Sequence, residues 1–411
     1  MVEKLFLLEF DAYNETTTMV ETQYFATGGG FISKKSETPS LQKFIPRITD
    51  LGGIDTFMFG NATTSGSTVA GFGKISLNNA DGFLDFIMDY GVDGRDIIIR
   101  EGSPDSDYPS GFTTKYTGKI VNLFFNDLTI DISVKNNKSA IFDLPYQPVK
   151  YDGDNDNVTI FLEGTDNDIG GSPKPRIKGI VKNISPPVVN SGREIYQLSS
   201  DEVDTIDNVY DGRSALSVGT QRATTTDLIN NNPAPGDYDY YLGDNTEAIG
   251  DNERGAYIRV GSTPAFKLTV DVTEGSSAAD RTIAQIVNNI IVENGFTIDS
   301  TSITDMDTAF SGEIGNYSGL SESNVGDIIN PMLLSGYAYL IDDFITSNQF
   351  IIGQLDIPTV GEVKATLADN ILLGSPKVRF IPSRDQDKGI PINKVNIGYK
   401  ENYTIMSERR S

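Results

Sequence analysis

In 411 residues the chain has no cysteine, no histidine and no tryptophan. Without a thiol there is no Cys–His nucleophile, no thiol redox chemistry and no cysteine-ligated metal. Without an imidazole, Ser–His–Asp triads, His-bound zinc and facial iron sites are excluded. Only carboxylates, Lys, Tyr, Ser and Thr remain as candidate catalysts. The expectation moves from an enzyme toward a binding or structural protein.

Cations are scarce too. Lys and Arg total 33 against 57 Asp and Glu, a net charge of −24. Such a chain is repelled by nucleic acid and by anionic lipid, so specific nucleic-acid binding is not expected. No apolar run approaches the roughly 20 residues that a membrane span needs. Residues 1–8 are apolar, but Glu3, Glu9 and Asp11 break the pattern, and no small-residue cleavage site follows, so no signal peptide is expected. The absence of cysteine fits a soluble product made in a reducing cytoplasm.

What is present is turn-rich. Forty glycines and 18 prolines are spread along the chain, which suits a β-rich protein of several domains. The fold class expected is mainly β with α+β insertions. Residues 1–145 read as a small barrel or curled sheet. The glycines within 69–77 (VAGFGKISL) suggest a bulge or a close backbone approach, and a hairpin turn is expected at Asn126-Asp127. Residues 83–90 (FLDFIMDY) read as one short helix with Phe83, Phe86, Ile87 and Tyr90 on its buried face. Residues 146–262 form a β-rich unit entered through a polar, Asp-rich connection, and residues 263–355 an α+β unit. There Ser277 and Asp280 resemble a capping box before Ile283, Ile286, Val287, Ile290 and Ile291, with Gly295 closing the helix. A second helix is expected from Asn324, bent or ended by Pro331. Residues 356–411 read as returning strands, with strand-like stretches at 366–379 and 394–403.

Chemistry-bearing patterns are few. Asp152, Asp154, Asp156 and Glu163 occupy positions 1, 3, 5 and 12 of a calcium-loop spacing. Asn157 stands where that loop wants Gly, and no amphipathic helix flanks it, so a solvated acidic loop is the simpler reading. Carboxylate pairs suited to glycoside hydrolysis occur among so many acids, but no aromatic cleft pattern accompanies them. Asp55, Asp81, Asp93 and Asp96 read as turn and cap residues. The run Gly28-Gly29-Gly30 precedes a strand rather than a helix, so a turn is expected, not a phosphate loop. No catalytic residue and no cofactor are assigned.

Two segments carry a family resemblance. Residues 72–82 (FGKISLNNADG), continuing to 89–95 (DYGVDGR), resemble a stretch found in siphophage tail proteins encoded among tail-tip genes. Residues 171–179 (GSPKPRIKG), followed by 183–190 (NISPPVVN), resemble a second run of the same family. Asp271-Val272-Thr273, Ala279-Asp280-Arg281-Thr282 with Ala284, Ser335-Gly336-Tyr337-Ala338 and residues 350–355 (FIIGQL) are similar too.

The resemblance implies a tail-tip or baseplate hub, made in the host cytoplasm and carried in the virion. Hubs of this type are trimers in which two barrel-like tube domains per chain make a pseudo-six-fold ring, with smaller domains inserted between them. The implied partners are further copies of the chain, the tail tube or distal tail protein, and tip or fibre proteins. Relatives extend beyond the position matching Tyr403, whereas this chain stops at Ser411, which implies a short version or a distal part on another chain. Asp85, Asp89 and Tyr90 are the candidate interface residues. The nearest rival is a distal tail or tip-attachment protein in a six-fold ring. A rival of another class is a carbohydrate-binding module, favoured if Tyr238, Tyr240 and Tyr241 are exposed on a separate sandwich.

Overall fold

A computed structural model describes residues 4–52, 66–67, 72–135, 141–154, 162–343 and 349–354, with only the backbone described at 66, 67 and 72. The strand-like stretches expected at 366–379 and 394–403, and the whole of 356–411, lie outside the described residues, as does Asp55. The protein is mainly β, with several sheets and few helices. The described residues fall into two compact units. The first comes from 1–143, 291–303 and 337–353, and the second from 144–290, 304–336 and 354.

The first unit is built on a curled sheet. Its strands are β1 (Leu5–Asn14), β2 (Met19–Ala26), β3 (Phe31–Ile32), β4 (Lys43–Pro46), β5 (Ile48–Asp50), β6 (Gly66–Ser67), β7 (Phe72–Asn78), β8 (Tyr90–Gly91), β9 (Asp96–Gly102), β10 (Thr113–Phe125) and β11 (Thr129–Lys135). The ladder runs β3-β4-β2-β1-β9-β10-β11-β7-β5, with β8 on β1. Among the described residues it does not close as a hydrogen-bonded barrel. Instead β4 pairs with β2 and β5 with β7, and Arg47 alone separates β4 from β5. One short segment thus joins the two ends of the sheet. Inward residues of β1, β2, β7, β9, β10 and β11, among them Phe10, Phe25, Ile75, Ile97, Ile120 and Ile132, share one core. The expected hairpin is present, with Asn126 N–H donating to the Thr129 carbonyl at 2.8 Å. The bulge expected in the glycine-bearing strand is not on its β11 side, where the register runs unbroken from Phe72 to Asn78. The irregularities fall in β10, at 114/116 and 120/122, and opposite β5. A small sheet containing β6, Thr297–Ile298, Ala338–Asp342 and Gln349–Gln354 also belongs here.

The second unit contains a β-sandwich. One sheet has the order β16-β15-β20-β12-β21 and the other β13-β14-β19-β18-β17. Their strands are β12 (Arg176–Ile184), β13 (Val188–Asn190), β14 (Ile195–Ser199), β15 (Thr205–Asp211), β16 (Ser214–Ala215), β17 (Ser217–Gln221), β18 (Asp237–Tyr241), β19 (Ala256–Val260), β20 (Leu268–Thr273) and β21 (Gly315–Ser318). Alternation decides the layers. Ile258 and Val260 of β19 face the interior shared with β12 and β20, while Tyr257 points to the opposite face. That opposite face is covered too, by Leu228 of helix α1 (Thr225–Asn230) and by Tyr151, Leu162 and Ile169. Tyr241, under this cover, is 7% exposed, Tyr238, in the core between the sheets, is 3% exposed, and Tyr240 is half-buried. The exposed tyrosine face that would favour a carbohydrate-binding module is absent.

Three further helices are α2 (Ile283–Glu293), α3 (Ser300–Ala309) and α4 (Val325–Ser335). Ser277 and Asp280 form the expected capping box, all five isoleucine and valine positions of the α2 face are buried, and Gly295 has φ +81°. Asn324 and Asp327 cap α4, which continues past Pro331 to Ser335. No helix among the described residues is long and apolar enough to cross a membrane.

Candidate assembly surface

The corner at residues 78–82 is fixed by side chains that substitute for ladder bonds. Asn78 Oδ1 accepts from the Ala80 N–H at 3.0 Å, and Asn79 Oδ1 from the Leu84 N–H at 2.8 Å. Asn79 Nδ2 donates to Asp85 at 2.8 Å. Gly82 takes φ +68°, a left-handed backbone that a side chain would strain. Arg47, from the joint between β4 and β5, donates to both oxygens of Asp81 at 2.7 Å and lies 5.1 Å over the Phe83 ring. Its guanidinium holds the Asp81 carboxyl down at about 2. Asp81 thus acts as a turn residue.

The corner opens into a short 3-10 helix, Asp85–Asp89. Its buried residues correct the expected face. Leu84 and Ile87 enter the core, whereas Phe83, Phe86 and Met88 are 53%, 39% and 55% exposed. The 3-10 period of three, rather than 3.6, explains this: positions 84 and 87 eclipse and turn inward together. The aromatic rings form a ladder on the outside, Phe83 to Phe86 at 6.5 Å and Phe86 to Tyr90 at 5.6 Å, both edge to face. Leu128, whose carbonyl accepts from Asn79 N–H, is exposed as well.

Of the three candidate interface residues, Asp89 is exposed and Asp85 is exposed but tied to Asn79. Tyr90 is half-buried, and its hydroxyl donates to Glu21 at 3.2 Å and accepts from Asn14 at 2.8 Å. Desolvation, reinforced by Glu21, raises the Tyr90 hydroxyl above its ordinary value. Its tip is committed to Asn14 and Glu21, and its ring joins the ladder. The sequence reading missed Arg47, 34 residues from Asp81, and the outward turn of Phe83, Phe86 and Met88.

The second resemblance-bearing segment is structural in a different way. Gly179 of β12 stands opposite Gly315 of β21. At φ +68°, a Cβ on Gly179 would lie 2.0 Å from the Ile314 carbonyl oxygen, so only glycine fits. Nearby, Arg176 and Arg254 each donate to Asp201 at 2.8 Å, and Arg176 stacks 4.9 Å from the Tyr146 ring. Burial pushes the Asp201 carboxyl up, but Arg176, Lys178 and Arg254 outweigh it and hold it at about 2.

Of the calcium-spaced acids, Asp152 donates its backbone N–H to Glu163 Oε2 at 3.1 Å. Asp156 lies outside the described residues, Asp154 pairs with Thr165, and Glu163 is ion-paired to Lys174 at 2.6 Å. Among the described residues no group of three carboxylates is placed to hold a metal ion.

No family model matches the chain, and no curated protein matches it. Among solved structures it is similar to a chain titled "Virion of native gene transfer agent (GTA) particle", at 10% identity and a TM-score of 0.22 over 67% of this chain and 80% of that one. At that TM-score the likeness decides neither fold nor role. The siphophage resemblance rests on the residues quoted above.

Proposed function

We propose that the chain is a structural, non-enzymatic component of a phage-type virion, placed at the tail tip as the hub of the baseplate. One observation carries this reading. It concerns the first of the two resemblance-bearing segments, 72–95. Its Asn and Asp side chains are used to lock a corner, and the corner holds Phe83, Phe86 and Met88 out in solvent. Exposed aromatic residues on a rigid support, rimmed by acids, suit a protein–protein contact. A net charge of −24 suits a ring through which DNA must pass without binding. Three copies, with tail tube, distal tail and fibre proteins as neighbours, follow from the same resemblance. The test is protein identification by mass spectrometry in purified particles, where the chain is expected to co-purify with other tail proteins. Its absence from particles would remove the proposal.

A further inference from the structure

The covered face of the β13–β14–β19–β18–β17 sheet buries a polar cluster. The Lys174 side chain is 4% exposed and that of Glu163 7%, and Nζ donates to Glu163 Oε1 at 2.6 Å. The same Nζ lies 3.2 Å from Oδ1 of Asn252 and 5.5 Å from the centre of the Tyr151 ring. Asn252 Oδ1 also accepts from the Tyr257 hydroxyl at 3.3 Å, and that hydroxyl oxygen accepts from Gln197 Nε2 at 3.1 Å. Gln197 in turn accepts from Tyr151. An amine sheltered from water therefore meets a carboxamide whose carbonyl oxygen is held by two donors, and a carboxylate sits on the amine.

We propose that Lys174 and Asn252 are joined by an intramolecular isopeptide bond, formed autocatalytically with Glu163 as the proton acceptor. Glu163 takes one proton from the Lys174 ammonium. The freed electron pair of Nζ attacks Cγ of Asn252, and the carbonyl π pair moves onto Oδ1. There the Tyr257 hydroxyl, fixed by Gln197, stabilises the oxyanion. A second Nζ proton passes to Nδ2, the Cγ–Nδ2 bond breaks, and ammonia leaves. Nζ keeps the third proton as the new amide N–H, and Glu163 ends as the neutral acid. Nothing is oxidised or reduced. A buried ion pair, costly to keep out of water, is replaced by two neutral groups. Holding amine and carboxamide together supplies the effective concentration that an uncatalysed amide exchange lacks. The bond would tie the segment before β12 to the loop before β19.

Intact-mass measurement of the folded, full-length chain tests this. The expected mass is that of the sequence less one ammonia, with a branched peptide joining Lys174 to Asn252 in the digest. Asn252→Asp should instead lose one water and give the same branched peptide. Glu163→Gln should keep the full sequence mass. If that variant does not fold, the wild-type and Asn252→Asp masses decide. A full-sequence mass in the folded wild-type chain, or loss of ammonia without the branched peptide, would overturn the proposal and leave a plain buried ion pair.

Discussion

Arg47 grips Asp81 through two hydrogen bonds of 2.7 Å, and in doing so ties the joint between β4 and β5 to the corner that presents Phe83. Replacing Arg47 by Ala should lower the thermal midpoint and loosen the corner without unfolding the core. The pH dependence has a definite sign. Asp81 is depressed from 3.8 to about 2, so its contribution is present above 3.8 and is lost as pH falls through about 2. Acid titration of stability should show a shallower loss across that window in Arg47→Ala than in the parent chain. Identical acid limbs would mean that the pair contributes nothing.

The 3-10 helix separates folding from assembly. Leu84→Ala or Ile87→Ala should cost about 2–5 kcal/mol in denaturant unfolding, because both side chains are buried. Phe86→Ala should cost less than either, since Phe86 is exposed and stands outside the core. Phe86→Asp and Asp89→Lys should leave the subunit folded yet reduce its incorporation into rings, measured by native mass spectrometry or sedimentation. Intact rings of normal stability carrying both changes would eliminate this surface as an interface.

Much of this was legible, and the failures have physical causes. The α2 face was readable because five apolar residues keep a 3.6 period between a capping box and a left-handed glycine. The α3 helix was not, because its buried positions are Ser302 and Met306 among polar residues, with Asp299 as the cap. The Asp81–Gly82 turn was readable locally. Its Arg47 partner was not, since only the pairing of β5 with β7 brings Arg47 beside a turn 34 residues away. Tyr238, Tyr240 and Tyr241 read as a sugar-stacking surface only until Tyr238 is seen in the sandwich core and Tyr241 under α1, Tyr151, Leu162 and Ile169.

The Asp201 cluster should behave as one unit. Asp201→Asn removes the negative charge and one of the two oxygens that Arg176 and Arg254 share, and Arg254→Ala removes one of two cations from a carboxylate largely out of water. Each change should cost about 3–5 kcal/mol. The depressed carboxyl stabilises above 3.8, and this is lost as pH falls through about 2, so Asp201→Asn should flatten the acid limb of the stability curve. Equal midpoints by urea unfolding at neutral pH would contradict the cluster's role.

Gly179→Ala should destabilise the second unit severely. The left-handed backbone alone costs a side chain about 1–3 kcal/mol, and the Cβ would overlap the Ile314 oxygen at 2.0 Å. Gly171→Ala has a positive φ but open space around the Cβ, so only the backbone cost applies. Comparing the two by thermal unfolding separates clash from strain, and equal losses would show that β21 yields to the methyl group.

Symmetry-resolved imaging of assembled particles tests the central claim most directly. The chain is expected at the tail tip, in three copies around the tail axis, with the ladder of Phe83 and Phe86 buried against a neighbouring subunit. Six copies would place it in a distal tail ring and contradict the hub assignment. No density for it at the tip would contradict the structural role altogether.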